Sequence, residues 1–161
     1  MPDRPVILNN TPLVALWSLD LLAILRQLYT EVVIPPTVYD EFLAVNHSVR
    51  QTALADNHWI KTIPLGNPRQ ALVYVGLDKG EAEVLALATE LSARLVVMDE
   101  RKGRRYAQRL GLPLTGTVGV LLAAKHNGFI PSLAPLLERL REKGLFLAPD
   151  LVNRALKLAQ E

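Results

Sequence analysis

Short apolar runs alternate along the chain with longer segments of mixed polarity. Each run is the length of a strand, is rich in Val, Ile and Leu or alternates in polarity, and is bounded by prolines, turn residues or charged residues. This pattern predicts strands at 5–8, 31–34, 59–63, 94–98 and 112–115.

The segments between these runs carry apolar residues at three- and four-residue spacings, as amphipathic helices do. One or two helices are predicted at 13–29, and Pro36 is expected in the first turn of the next, because proline is tolerated there. The connection at 66–76 contains two glycines and a proline and is expected to be partly irregular. Further helices are predicted at 49–57, 81–91, 100–110 and 117–127, with two more beyond residue 132.

Strands that alternate with helices predict an α/β fold with a central, mostly parallel sheet of four to five strands between two helical layers. The chain shows no internal repeat, low-complexity tract or long linker. We therefore expect one domain over 1–161. The last helices, at about 132–161, are expected to cover the core or to form a dimer surface.

Composition narrows the class of protein. Half of the 161 residues are hydrophobic, which excludes a disordered chain. Cys is absent, which excludes disulfides and thiolate zinc sites. No apolar run approaches the ~18 residues that cross a bilayer, and residues 1–5 do not resemble a signal peptide. We expect a soluble, cytoplasmic protein.

The net charge of +2 is small, but a basic cluster stands at Arg101, Lys102, Arg104 and Arg105.

Four polar side chains lie where strands end. Asn9 directly follows the first predicted strand, and Asp99 directly follows the strand at 94–98. Glu41 lies about one helical turn beyond the second strand, and Glu81 lies in the first turn of a helix. Because the carboxyl ends of parallel strands share one edge of a sheet, the four side chains are expected to converge there.

Carboxylates that crowd together repel one another unless a cation compensates. Oxygen ligands without Cys or convergent His favour Mg²⁺ or Mn²⁺. Such an ion polarises a phosphoryl oxygen and helps to activate water, so phosphodiester hydrolysis is the predicted chemistry.

Each member of this set also has a structural explanation. Asp99 could cap the helix that follows it, and Glu81 could complement a helix N-terminus. Glu41 could be a solvated helix residue, and asparagines such as Asn9 are common in turns. The basic cluster could be a solvated helix face, or it could bind the phosphates of RNA without reading the sequence.

Other chemistries lack support. The three histidines have no metal-binding spacing, and the chain contains no nucleophile elbow, Walker loop or dinucleotide-binding glycine motif.

Five segments, in order over residues 5–143, resemble the PIN-domain family of small metal-dependent ribonucleases, which includes the VapC-type toxins. More closely, the chain looks like a branch of bacterial and archaeal PIN-like proteins. The segments are VILNNTPL at 6–13, VVIPPTVYDEF at 32–42, DKGEAE at 78–83, LVVMDERKGRR at 95–105 and LPLTGTVGVL at 112–121.

The resemblance implies a catalytic role for Glu41, Glu81 and Asp99 and a metal site formed by these residues with Asn9. Asn9 departs from the pattern, because the family usually has Asp at this position. Asn keeps a neutral carbonyl ligand but cannot act as a carboxylate base, so weaker metal binding is expected. Supporting roles near the site are implied for Thr11, Thr115 and Thr117, and the family implies homodimers and a small antitoxin partner.

Three functions remain open from the sequence. The first is a Mg²⁺- or Mn²⁺-dependent endoribonuclease that resembles toxin–antitoxin toxins. The second is a non-catalytic PIN-like module that binds RNA or a protein partner, and Asn9 is the residue that suggests it. The third is a nucleotide-binding α/β protein without nuclease activity.

Overall fold

The computed structural model describes residues 4–161. The expectation that residues 1–5 are not a signal peptide therefore falls largely outside the described chain. Five strands are present: β1 (Val6–Leu8), β2 (Val32–Ile34), β3 (Ile60–Thr62), β4 (Leu95–Val97) and β5 (Leu114–Thr115). Each lies within a predicted run and is shorter than it.

Nine α-helices lie in the described part of the chain. They are α1 (Asn10–Ser18), α2 (Ala23–Tyr29), α3 (Pro36–Leu43), α4 (His47–Asp56), α5 (Lys79–Glu90), α6 (Arg101–Arg109), α7 (Thr117–His126), α8 (Ala134–Glu142) and α9 (Pro149–Leu158). A 3₁₀-helix, Pro68–Val73, occupies the connection before α5.

The strands form one sheet in the order β3-β2-β1-β4-β5, and every neighbouring pair is parallel. The chain proceeds from β1 to one edge of the sheet and later from β4 to the other. The direction therefore reverses between β1 and β4, and α/β sheets bind ligands outside the carboxyl ends of the strands at such a switch point. The register pairs Leu8 with Val97, so Asn9 and Asp99 follow the two strands on the same side.

Helices cover both faces of the sheet. Helix α7 packs on α1, α2 and α9, whereas α5 packs beneath β1 and β4 and contacts α6. Right-handed crossovers in opposite directions place the two groups on opposite faces. The three-layer α/β/α fold is confirmed. Because the sheet is covered twice, β1 and β2 are buried at every position.

Local sequence decides where several helices begin and end. Pro36 opens α3 as predicted. The segment 13–29 forms two helices, because the chain turns at 19–22 and Asp20 adopts a left-handed conformation (φ 58°). The irregular connection at 66–76 contains the 3₁₀-helix. The side-chain oxygen of Asn67, the residue before this helix, accepts a hydrogen bond from the backbone N–H of Arg69 at 3.1 Å.

Across residues 4–161 no single helix has the length and apolar character needed to cross a membrane. Helices α1 and α2, bent by 119° relative to each other, meet the length and composition criteria only as a pair.

Candidate functional site

Asn9 lies at the switch point between β1 and β4. Its backbone N–H donates to the carbonyl oxygen of Val97 at 3.0 Å, which ties the ends of the two strands together. Its side chain is 4% exposed, and Oδ1 is buried with no hydrogen-bond partner among the described residues. A buried acceptor without a donor is unfavourable by about 1–3 kcal/mol. The position therefore offers an unused oxygen.

The carboxylate of Asp99 is held by the first residue of α7, the helix that follows β5. Its Oδ1 accepts from the backbone N–H of Thr117 at 2.8 Å, and its Oδ2 accepts from the Thr117 hydroxyl at 2.6 Å. The carboxylate thus lies at the N-terminus of α7, where the helix dipole favours negative charge. Asp99 does not cap the helix after it, because the residue before α6 is Glu100.

Gly116 makes room for this carboxylate. A Cβ at residue 116 would lie 2.6 Å from Oδ1 of Asp99 and 3.2 Å from Nη1 of Arg104. Any larger residue at 116 would displace the carboxylate.

Glu81 caps its own helix. Its carboxylate accepts from the backbone N–H of Asp78 at 3.2 Å, and Asp78 accepts from the Glu81 N–H at 2.8 Å. This reciprocal capping box is the helix-terminal role that the sequence left open. Burial raises the pKa of Glu81, and the negative charge of Asp78 raises it further. Glu81 is 7% exposed, so its charge is poorly hydrated.

Glu41 reaches from α3 to the start of α5. Its carboxylate occupies the space that a side chain at Gly80 would fill, with Oε1 against that glycine. Burial raises the pKa of Glu41, and the carboxylates of Asp78, Glu81 and Glu83 raise it further. The structure therefore brings Glu41 and Glu81 into one acidic environment.

Two acidic residues that the sequence did not single out belong to this environment. Asp78 is the residue before α5, and its signal was present, since an acidic cap followed three residues later by Glu is a capping box. Glu83 is 9% exposed and accepts from the Thr37 hydroxyl at 2.6 Å, which joins α3 to α5. Nothing in the sequence distinguished Glu83 from an exposed helix residue.

The donor set suits a hard divalent cation, because it consists of carboxylates and the unpartnered Asn9 oxygen. The present arrangement is not a formed metal site. Over residues 4–161 no group of three or more His, Cys, Asp or Glu side chains is placed to hold a metal ion. Glu81 and Asp99 are hydrogen-bonded within the protein, and their carboxylates keep further lone pairs that could bind a cation.

The basic cluster divides into two kinds of residue. Arg101, Lys102 and Arg105 are exposed on α6, and none of them forms an ion pair within the described chain. Arg104 is half-buried, and its Nη1 donates to the carbonyl oxygen of Met98 at 2.8 Å. Three of the four cations are thus free to contact an external anion, while Arg104 supports the end of β4.

The three threonines predicted near the site have different surroundings. Thr117 contacts Asp99 directly and is fully buried. The hydroxyl of Thr115 lies against Gly119 in the first turn of α7. Thr11 lies in the wall of a pocket formed with α4 and the end of α8. Within the described chain, no side-chain hydrogen bond joins Thr11 to any of the four predicted ligands.

A family model described as a PIN domain matches residues 5–161. A search of curated proteins found no match.

Proposed function

The chain belongs to the PIN-domain family, and on that premise we propose that it is a nuclease that hydrolyses phosphodiester bonds in RNA with Mg²⁺ or Mn²⁺. The single observation that carries this proposal is the acidic environment that α3 and α5 form around Glu41 and Glu81. Glu41 and Glu81 have pKa values raised by burial and by neighbouring carboxylates. Clustered groups of this kind favour a cation and are typical of functional sites.

Glu41, Glu81 and Asp99 would hold the ion, and the unpartnered Oδ1 of Asn9 would act as a neutral ligand. When bound, the ion would polarise a phosphoryl oxygen and lower the pKa of a bound water. Thr117 fixes the carboxylate of Asp99. Gly80 and Gly116 leave space for the carboxylates of Glu41 and Asp99.

The exposed cations of α6 would bind the RNA backbone. Arg101 and Lys102 stand in the first turn of the helix that begins just after Asp99. Phosphate contacts position a nucleic acid without reading its sequence. This arrangement supports a nuclease with little base selectivity from α6.

The test is cleavage of single-stranded RNA by the purified protein in Mg²⁺, in Mn²⁺ and in EDTA, with Asp99→Asn and Asn9→Asp in parallel. We expect metal-dependent cleavage by the wild type, loss in Asp99→Asn, and faster cleavage in Asn9→Asp because a fourth negative ligand is restored. Thermal unfolding of each variant shows whether lost activity reflects lost structure. An Asp99→Asn variant that is folded and fully active would contradict the proposal.

A second candidate is a non-catalytic PIN module that binds RNA or a protein partner. The observations that favour it are the neutral Asn9 and the lack, over residues 4–161, of three acidic side chains placed to hold one ion. It predicts RNA binding without cleavage by the wild type, and cleavage only by Asn9→Asp. It also predicts that Mn²⁺ raises the melting temperature of Asn9→Asp much more than that of the wild type.

We further propose that the protein is cytoplasmic and acts as the toxin of a toxin–antitoxin pair, as a homodimer. Family membership supports this proposal. Coexpression with the product of an adjacent small reading frame tests the pairing, since an antitoxin should co-purify and suppress cleavage. Sedimentation tests the dimer.

A further inference from the structure

Arg50, in the first turn of α4, is a buried cation without a negative partner. It is 7% exposed. The two ion pairs within residues 4–161, Lys125–Glu161 and Arg141–Glu138, do not involve it. Burial of a charge without a counter-ion is costly, and the contacts that the guanidinium makes within the described chain supply no full negative charge.

The guanidinium is held in one orientation. Its Nη1 donates to the carbonyl oxygen of Phe42 at 2.9 Å. The guanidinium carbon lies 4.7 Å from the ring centroid of Trp17 and 5.0 Å from that of Phe42. Its Nε is buried without a partner, and Nη2 donates no hydrogen bond within the described chain. A guanidinium can bind two oxygens of one anion along its Nε–Nη2 edge, and an anion would reach the buried Nε of Arg50 after a small movement of the side chain.

Arg50 lies in the wall of an open pocket of about 440 Å³ between α1, α4 and the segment after α8. This volume suits a small organic ligand. Lys143 adds a second positive charge, and no Asp or Glu lines the pocket. Trp17, Leu140 and Leu145 supply a flat apolar wall.

Asn10 also lines the pocket, and one of its polar atoms lacks a partner among residues 4–161. Oδ1 of Asn10 is buried and accepts no hydrogen bond from the described residues. Unsatisfied buried polar groups are few in native proteins and call for an explanation. A ligand that carries both an anionic group and a hydrogen-bond donor would match Arg50 and Asn10 together.

We propose that this pocket binds a small organic acid. Its carboxylate or phosphate lies on Arg50 and Lys143, and its apolar body lies on Trp17 and Leu145. The site is separate from the four predicted metal ligands, because none of them lines the pocket. The proposal does not depend on nuclease activity.

The probes are mandelate, which has a carboxylate, a hydroxyl and a phenyl ring, its neutral amide, and phenyl phosphate. The readout is the indole N–H signal of Trp17 in ¹H–¹⁵N spectra, which Trp59→Phe identifies by removing the other indole. We expect saturable shifts with mandelate or phenyl phosphate and none with mandelamide. The anion that binds more tightly shows whether the pocket prefers a carboxylate or a phosphate.

The variants avoid the buried Arg50, whose replacement could unfold the protein. Lys143→Glu reverses an exposed charge and should weaken binding about fivefold or more, and Leu145→Trp should abolish binding by filling the pocket. Lys157→Glu on α9 is the control with the same charge change and should bind as the wild type does. The absence of saturable shifts, equal shifts with mandelamide, or unchanged binding by Leu145→Trp would each overturn the proposal.

Discussion

The carboxylate of Asp99 and the first residue of α7, Thr117, are joined by two hydrogen bonds. One comes from the backbone N–H at 2.8 Å and one from the hydroxyl at 2.6 Å. The pair connects the end of β4 to the helix that follows β5. Both oxygens of a predicted metal ligand are thus oriented by a residue of a separate segment.

Thr117→Val removes the hydroxyl and keeps the shape of the side chain. Because the lost bond goes to a charged acceptor, we expect about 1.5–3 kcal/mol lower unfolding free energy, measured by urea denaturation. Thr117→Ser keeps the donor and is the matched control, although it also leaves a small cavity. If Thr117→Val is as stable as the wild type, the hydroxyl does not hold Asp99.

Gly80→Ala tests the contact between α3 and α5. The new methyl group would meet Oε1 of Glu41, and the flexible end of that side chain can move away. Since Ala also favours helix by up to about 1 kcal/mol, we expect unchanged or slightly higher stability. The rise in melting temperature caused by Mn²⁺ should shrink at the same time. Metal binding equal to that of the wild type would show that the position of Glu41 is unimportant.

Stability should depend on pH through Glu41. Its pKa is raised in the folded state, so the folded protein binds the proton more readily than the unfolded chain. The unfolding free energy therefore falls as the pH rises from the ordinary glutamate value of 4.5 through the raised folded value.

Glu41→Gln should remove part of this dependence and raise the melting temperature at neutral pH without metal. In Mn²⁺ the order should reverse, because the wild type keeps a ligand that the variant lacks. Glu142→Gln, at an exposed position, is the control. A melting temperature for Glu41→Gln below that of the wild type in EDTA would contradict the predicted repulsion.

Glu161 should show the opposite pH dependence. Hydrogen bonds from the Ala134 amide, the Ser132 hydroxyl and the Leu133 amide lower its pKa to about 2. Its contribution is present above 4.5 and is lost as the pH falls from there towards about 2. Glu161→Gln should lower the melting temperature at neutral pH. The difference in melting temperature between the variant and the wild type should vanish near pH about 2. Calorimetry between that pH and neutral pH measures this difference.

The basic face of α6 should determine the salt dependence of RNA binding. The double variant Lys102→Gln with Arg105→Gln removes two exposed cations, so the slope of log K against log salt should fall by about 1.4 for single-stranded RNA. Arg154→Gln with Lys157→Gln removes the same charge from α9 as a control. Equal slopes in both double variants would place the RNA elsewhere.

The order and type of the helices and strands follow from the amino-acid sequence alone. The run at 94–98 is apolar at four of its five positions, and a short apolar run of strand length is local information that indicates a buried strand. Parallel strands then put Asn9 and Asp99 at one edge, as the register between β1 and β4 confirms. The capping box of α5 was also readable, since it needs only Asp78 and Glu81 at their fixed spacing.

The contacts of each side chain depend on how the helices and strands pack together. Asp99 lies at the start of α7 rather than α6, and Glu83 joins α3 to α5. Arg50 is unremarkable in the sequence, yet it is buried against Trp17 in the wall of a pocket. Such contacts join residues far apart in the chain, and local spacing carries no information about them, because packing angles and helix offsets decide which side chains meet.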